Sequence, residues 1–218
     1  EYLKAVRELC DKKEIILIFD ECTSGFRETY GGVFSQYNVN PDMVMFGKAL
    51  GNGYAITAVV GTSEVMASAI ETFISSTFWT ESIGPTAACA TLKEMSNQKS
   101  WIILPKIGAS VKNIWLAAST QFNIPIKIEG LNALPTFTFL TQSPLAYKTL
   151  FTERMLKLGF LASTAFYATT AHTTEIVNAY EQAVFETFEF LGKVYASNLS
   201  PDDYLKDGCC YPTFKRLN

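Results

Sequence analysis

The chain has 218 residues, 18 basic and 21 acidic side chains, and a formal net charge of −3. Without a basic block this balance gives no electrostatic support for a nucleic-acid partner, and no apolar run approaches the roughly 18 residues of a membrane helix. The single histidine excludes a histidine-rich metal site, so neither a metal, a membrane nor a nucleic acid is expected.

The first part of the chain predicts an α/β layer. An apolar stripe at helical spacing occupies the first ten residues. Three apolar runs follow that are typical of strands buried on both faces, as in a parallel sheet, and they lie at residues 15–19, 43–46 and 56–60. Glycine-rich loops separate the strands, and Thr62 or Ser63 can cap a helix that continues to about residue 72.

The second part predicts shorter, alternating strands between longer helices. Helices are predicted at residues 86–95, at 106–122 after Pro105, from Ser143-Pro144 to Gly159, and from Thr173 or Thr174 to near Gly192. Strands are predicted at residues 126–128, 136–140 and 160–162. This change of pattern places a domain boundary near residues 96–104, so we expect an α/β part and a small α+β domain.

Cysteine use indicates a reducing, cytoplasmic compartment. The five cysteines form no CxxC pair, and their odd number argues against a disulfide framework. The first residue is Glu1, which already lies in the helical stripe, so we expect the chain to be a fragment of a longer protein.

Two residues stand at positions where α/β sheets bind ligands. Asp20 directly follows the first apolar strand, and Lys48 follows the second by two residues. Ligands bind beyond the carboxyl ends of the strands in such sheets, and three glycines around Lys48 would allow a ligand to approach the backbone. Taken singly, Asp20 fits a loop cap and Lys48 fits a surface turn; together they put an acid and an amine at the same end of neighbouring strands.

The order of these motifs resembles the active-site signature of class III pyridoxal-phosphate aminotransferases. The resemblance covers roughly residues 1 to 192 and is greatest to enzymes similar to glutamate-1-semialdehyde aminomutase. It rests on Phe19-Asp20-Glu21-Cys22-Thr23-Ser24-Gly25-Phe26-Arg27, Pro41-Asp42, Gly47-Lys48-Ala49-Leu50-Gly51, Ser76-Thr77-Phe78 with Gly84-Pro85, and Ala171-His172-Thr173.

The resemblance implies catalytic and cofactor-binding roles for five residues. Asp20 matches the acid that pairs with the pyridine nitrogen of pyridoxal 5'-phosphate (PLP), and Lys48 matches the lysine that forms the Schiff base with this cofactor. Cys22 stands where the family usually has a valine that packs on the cofactor ring, and Thr23 follows where larger residues are common. Thr77 matches the threonine that reaches across a homodimer to the cofactor phosphate of the other subunit.

The same resemblance implies a fold and a division of the chain. We expect an α/β, fold-type I PLP-dependent transferase, with residues 1–98 as the C-terminal part of the large mixed-sheet PLP domain and residues 99–218 as a small α+β domain. The family is about twice as long as this chain. Its N-terminal half carries the loop that grips the phosphate and the aromatic residue that stacks on the ring.

The expected function is PLP-dependent transfer of an amino group from a small amino donor to a keto or aldehyde acceptor, within a homodimer whose active site lies at the subunit interface. Two alternatives stay open: an aminomutase of the glutamate-1-semialdehyde type, and a truncated, non-catalytic relative that acts as a binding module. The isolated fragment is expected to be inactive.

Structural roles are expected for several other conspicuous side chains. A lone histidine before a helix, His172, is more often structural than catalytic. Arg27 could bind a carboxylate or pair with Glu28 or Asp42. The three tryptophans are assigned to the core or to an interface, and they are Trp79, Trp101 and Trp115.

Overall fold

The computed structural model describes residues 1–197 and 199–211, and the chain divides into two compact units, Glu1–Ile103 and Leu104–Asn218. The helices are α1 (Tyr2–Lys13), α2 (Ser63–Ala67), α3 (Ile83–Gln98), α4 (Ser100–Gln121), α5 (Pro144–Lys157) and α6 (Thr174–Ala196), and the strands are β1 (Ile18–Asp20), β2 (Met43–Phe46), β3 (Ala58–Gly61), β4 (Ile126–Glu129) and β5 (Thr136–Phe139). In the described residues no helix has the length and apolar character needed to cross a membrane. Nor do these residues contain a group of three or more His, Cys, Asp or Glu side chains suited to hold a metal ion.

The first unit contains a three-stranded mixed sheet in the order β1-β2-β3. β1 runs parallel to β2, with Asp20 opposite Met45, and β3 runs antiparallel to β2. The mixed sheet that the family resemblance implies is confirmed, whereas the parallel arrangement that the apolar runs indicate holds for β1 and β2 only. The connection from β2 to β3 is too short for the crossover that a parallel return requires, about a dozen residues or more and usually helical, whereas the longer connection from β1 to β2 has room for one.

The strands are less buried than their apolar sequences predict. Val44 in β2 is buried, but Ile18 in β1 and Val60 in β3 are half exposed. The residues before β1 are exposed as well, since Ile15 and Ile16 lie outside the strand. Burial on both faces, which the apolar pattern indicates for these strands within a longer protein, is therefore not present in the described residues of this chain, where Ile18 and Val60 stay half exposed.

The second unit holds the larger core, in which aromatic rings pack between helices α4, α5 and α6 and the β4–β5 hairpin. Its fully buried members include Trp115, Phe151 and Phe188. Trp115 donates a hydrogen bond from Nε1 to the Tyr180 hydroxyl over 2.9 Å. The assignment of Trp115 to the core is confirmed, whereas Trp79 is largely exposed.

Several helix boundaries differ from the sequence predictions. Helix α4 begins at Ser100 rather than after Pro105, which lies inside it, because one missing backbone donor is tolerated where the helix buries side chains such as Leu104. Helix α6 continues past Gly192, where a side chain would come within 2.8 Å of the Phe122 carbonyl oxygen. Residues 160–162 form no strand; the bridge to Thr136 comes from Ala165 instead.

The helix caps at Thr62 and Thr173 are confirmed. The Thr62 side chain accepts from the backbone N–H of Val65, and the Thr173 side chain accepts from that of Ile176. Each hydroxyl satisfies one of the backbone donors that a helix start leaves unpaired. Helix α2 is shorter than predicted and continues as a 3₁₀ turn over Ser68–Glu71.

Candidate active site

The parallel pairing of β1 and β2 brings the acid and the amine to one edge of the sheet. Asp20 is the last residue of β1, and Lys48 follows the end of β2 with only Gly47 between them. Both side chains are exposed at this edge, and the positive charge of Lys48 attracts the Asp20 carboxylate. The predicted juxtaposition of Asp20 with Lys48 is present in the structure.

The Asp20 carboxylate is fixed by the residue two positions later. The backbone N–H of Cys22 donates to Asp20 Oδ1 over 2.9 Å. This bond, a second hydrogen bond from the Cys22 side chain and the attraction of Lys48 lower the pKa of Asp20 below its ordinary value. The carboxylate therefore stays ionised at neutral pH and is available to hold a proton on a neighbouring base.

Cys22 lies between the two chain segments that carry the acid and the amine. Its Sγ atom is 3.5 Å from the point that a Cβ on Gly47 would occupy. The hydrogen bond to Asp20, burial and the charge of Asp20 raise the pKa of the Cys22 thiol. Cys22 is therefore a neutral, polarisable side chain at neutral pH, which suits the packing role expected for it.

Lys48 is held by a hydroxyl and by an unusual backbone conformation. Its Nζ lies 2.5 Å from Thr23 Oγ1. Its φ is 43°, in the left-handed region that non-glycine residues seldom adopt. Strain of this kind persists where the surrounding structure imposes it and is concentrated at functional sites.

The loop after β1 contains a buried carboxylate that sequence reasoning missed. Glu21 is 3% exposed, and its side chain accepts hydrogen bonds from the Ser24 hydroxyl and, over 3.0 Å, from the Phe34 N–H. The signal available in the sequence was a second acid beside Asp20 at a strand end, followed three residues later by a serine. Glu21 closes the loop that presents Cys22 and Thr23.

The structure groups four of the five predicted site residues: Asp20, Cys22, Thr23 and Lys48. Thr77 lies in the exposed segment 71–80 and makes none of this cluster's hydrogen bonds in the described part of the chain. Its role toward a second chain stays a prediction.

The remaining conspicuous polar side chains have local partners. Arg27 Nε donates to the Thr23 carbonyl over 2.8 Å. His172 Nδ1 accepts from the Thr169 N–H over 3.1 Å, its ring lies against Phe166, and burial lowers its pKa. His172 belongs to the second unit, and its contacts fit the structural role expected for it.

Comparison with known proteins identifies the family. Residues 1–171 match the family model "Aminotransferase class-III", so the chain belongs to the class III aminotransferases. The chain is 38% identical over 162 residues to a 3-aminobutyryl-CoA aminotransferase of Cloacimonas acidaminovorans (strain Evry), a match that covers 72% of this chain and 38% of that protein. It is 28% identical over 207 residues to a glutamate-1-semialdehyde 2,1-aminomutase of Bdellovibrio bacteriovorus, covering 87% of this chain and 49% of that protein.

Solved structures agree on the fold. The PLP internal aldimine form of the FumI protein of Sphingopyxis sp. MTA144 superposes with a TM-score of 0.84 at 23% identity, covering 93% of this chain and 49% of that chain. An omega-transaminase from Sphaerobacter thermophilus gives a TM-score of 0.77 at 21% identity. The match covers 86% of this chain and 47% of that chain. The predicted fold type I of PLP-dependent transferases is confirmed, and the chain spans about half the length or less of the relatives it matches.

The side chains at the sheet edge fit PLP, the cofactor of this family. A carboxylate whose pKa is lowered can pair with a protonated ring nitrogen, and an exposed amine beside it can react with an aldehyde. Because Gly47 has no side chain, the space between Cys22 and the backbone next to Lys48 stays open. In this arrangement Asp20 would hold the ring, Lys48 would hold the aldehyde carbon, and Cys22 would pack against the ring.

Proposed function

We propose that the protein containing this chain catalyses PLP-dependent transfer of an amino group from a small amino donor to a keto or aldehyde acceptor. The observation that carries the proposal is the placement of an ionised Asp20 and of Lys48 at the same carboxyl edge of β1 and β2. The whole protein's activity stays a proposal because the chain spans about half of its relatives.

Asp20 and Lys48 have different chemical roles in the proposed reaction. When bound, PLP supplies a ring that accepts the electron pair released at a substrate carbon. The Asp20 carboxylate holds the proton on the ring nitrogen, because its lowered pKa prevents it from taking that proton itself. Lys48 Nζ would take up a proton from the substrate α-carbon and release it again, because an amine at this edge can act first as a base and then as an acid.

An aminomutase of the glutamate-1-semialdehyde type is the second candidate. It is supported by the match to the Bdellovibrio bacteriovorus protein of that name, which covers 87% of this chain. Aminomutase and transaminase require the same acid and amine, so the cluster favours both over a non-catalytic binding module. A binding module has no use for an acid and an amine at the same strand ends.

The subunit arrangement and the domain roles are part of the proposal. We assign residues 1–98 to the PLP domain and residues 99–218 to the small domain. The segment around Thr77 carries several exposed apolar side chains, which a second copy of the protein would cover. They are Ile70, Phe73, Ile74, Phe78 and Trp79. In such a homodimer, Thr77 would donate its hydroxyl to the cofactor phosphate of the other subunit, and free thiols at all five cysteines fit a cytoplasmic protein.

The test is to locate the cofactor in the full-length protein. After incubation with PLP and reduction with borohydride, mass spectrometry should find the adduct on Lys48. Lys48→Ala should lose both the adduct and amino transfer, because the variant lacks the amine that lies beside Asp20 in the described part of the chain. Lys93→Ala, which removes an exposed lysine of α3, is the matched control and should change neither.

A second variant separates binding from catalysis. Asp20→Asn should keep the reduced adduct but lower amino transfer by several orders of magnitude, since the carboxylate acts mainly as charge develops in the transition state. An adduct on a lysine other than Lys48, or near wild-type transfer by Asp20→Asn, would contradict the proposal.

A further inference from the structure

The amine of Lys48 is held by a neutral partner although a carboxylate lies nearby. Asp20 attracts Lys48 through its charge, yet Lys48 Nζ donates its hydrogen bond to Thr23 Oγ1 over 2.5 Å. A hydroxyl both accepts and donates, so it can hold the lysine side chain as an ammonium or as a free amine. A carboxylate can only accept, and its negative charge favours the ammonium over the free amine.

Thr23 is itself held in place from both sides. Arg27 Nε donates to the Thr23 carbonyl over 2.8 Å. Two further hydrogen bonds close the loop around Thr23. The Gly25 N–H donates to the Glu21 carbonyl over 2.8 Å, and the Ser24 hydroxyl donates to the buried Glu21 side chain. A β-branched side chain on a fixed backbone has few rotamers, so the direction of the Thr23 hydroxyl is set by the loop.

We propose that Thr23 is a positioning residue for Lys48, which fixes the direction of the amine at the sheet edge whenever Lys48 Nζ is not joined to a cofactor. This inference rests on the proposed function of Lys48. It differs from the expectation that Thr23 binds the cofactor, because the contact exists between two side chains of this chain alone. The hydroxyl restrains an otherwise flexible four-carbon side chain and so keeps the amine where proton transfer is productive.

A positioning role predicts two effects of opposite sign. Removing the hydroxyl releases the amine, so its reaction with a small reagent in the cofactor-free protein becomes faster. The same change misplaces the amine during proton transfer, so amino transfer by the loaded enzyme becomes slower. General loosening of the fold would instead speed up the labelling of other lysines as well.

The experiment uses the cofactor-free full-length protein and acetic anhydride as the labelling reagent, with Lys93 as the internal reference read by mass spectrometry. Thr23→Val removes the hydroxyl at nearly constant shape, and we expect the Lys48 rate relative to Lys93 to rise about fivefold, which corresponds to about 1 kcal/mol. Thr23→Ser keeps the hydroxyl and should stay close to the wild-type rate. Thr23→Ala serves as a second deletion, so that the answer does not depend on how valine packs.

Thr29→Val is the matched control in the same loop, since its hydroxyl is buried without a hydrogen-bond partner in the structure; it should leave the Lys48 rate unchanged. An unchanged Lys48 rate in both Thr23→Val and Thr23→Ala would overturn the positioning role alone, and so would a weaker affinity for PLP with no change in labelling. A reduced adduct on a lysine other than Lys48 would overturn the proposed function, and the positioning role with it.

Discussion

The thiol of Cys22 offers a direct measure of the charge on Asp20. The hydrogen bond to Asp20 is the largest cause that raises the pKa of this thiol, followed by burial and the charge of Asp20, while Lys48 lowers it. Because only the thiolate reacts readily with alkylating reagents, Cys22 should react slowly at neutral pH.

We expect Asp20→Asn to lower the pKa of the Cys22 thiol and therefore to speed up its alkylation between pH 7 and 9. The measurement is the pH dependence of the iodoacetamide rate at Cys22 in the full-length, cofactor-free protein, followed by peptide mapping. Cys89, which is exposed on α3, provides the control because it lies outside the cluster. Identical pH profiles for Cys22 in the wild type and in Asp20→Asn would show that the two side chains do not interact.

At the scale of residues, the sequence predicted the placement of Asp20 and Lys48 at one sheet edge better than it predicted the contacts that hold them there. Asp20 and Lys48 were found because strand ends and flanking glycines are visible as local patterns. The contact between Thr23 and Lys48 and the burial of Glu21 depend on the path of the loop between β1 and β2. That path is fixed by hydrogen bonds between residues distant in sequence, such as Glu21 and Phe34, which no single-sequence pattern encodes.

Among the elements, Asp42 is the point where four parts of the first unit meet. Its carboxylate Oδ2 accepts from the Leu17 N–H over 2.7 Å and from Arg7 Nη1 of α1 over 2.9 Å. Its own N–H donates to the Leu17 carbonyl, and its carbonyl accepts from the Thr62 N–H at the end of β3. Asp42 thereby sets the register of β1 against β2, on which the placement of Asp20 beside Lys48 depends.

The Asp42 contacts predict an acid-dependent loss of stability. The Leu17 and Arg7 hydrogen bonds hold the pKa of Asp42 below its ordinary value, so they stabilise the folded state above pH 4 and this contribution is lost as the pH falls through the lowered pKa. Asp42→Ala should lower the free energy of unfolding at pH 7 by about 1 kcal/mol, a modest value because the carboxylate is partly exposed.

Urea unfolding of the full-length protein at several pH values provides the measurement. The difference between the wild type and Asp42→Ala should shrink as the pH falls from 5 toward 2. Asp42→Asn keeps an acceptor for the Leu17 N–H, so its free energy of unfolding should lie between those of the wild type and Asp42→Ala. A difference that is independent of pH would show that the charge of Asp42 does not contribute.

Element types were predicted more securely than element ends or strand directions. The β4 and β5 strands and helices α5 and α6 follow from clear periodicity and capping residues. The start of α4 was wrong because a proline inside a helix reads locally as a helix start, and only the packing of residues such as Leu104 reveals the continuation. The direction of β3 depends on connection length rather than on strand sequence, so its apolar run gave no indication of it.

At the scale of the whole molecule, the two units differ in the size of their buried cores. The buried side chains of the second unit include the large rings of Trp115, Phe137 and Phe188, whereas those of the first unit are fewer and smaller, such as Val44 and Cys10. The outer sides of β1 and β3 have no strand partner within the described residues. Local stability follows buried contacts and protected backbone hydrogen bonds.

Expressed alone, residues 1–218 should therefore be only partly folded and should not transfer amino groups. In hydrogen exchange followed by mass spectrometry, amides of α5, α6 and β5 should be protected, while those of β1, β2 and β3 should exchange rapidly. In the full-length protein the same three strands should be protected, because their edges would then be paired. Equal protection of both units in the short chain, together with catalytic amino transfer, would contradict this expectation.

The left-handed backbone at Lys48 also affects which substitutions evolution would favour at this position. A glycine would relieve the strain that a side chain imposes at a φ of 43°. Selection for stability alone would therefore favour a glycine at this position, whereas the catalytic role proposed for Lys48 would favour keeping the lysine. In a lineage released from catalysis, position 48 should be among the first to change, well before the buried rings of the second unit, whose loss would cost folding.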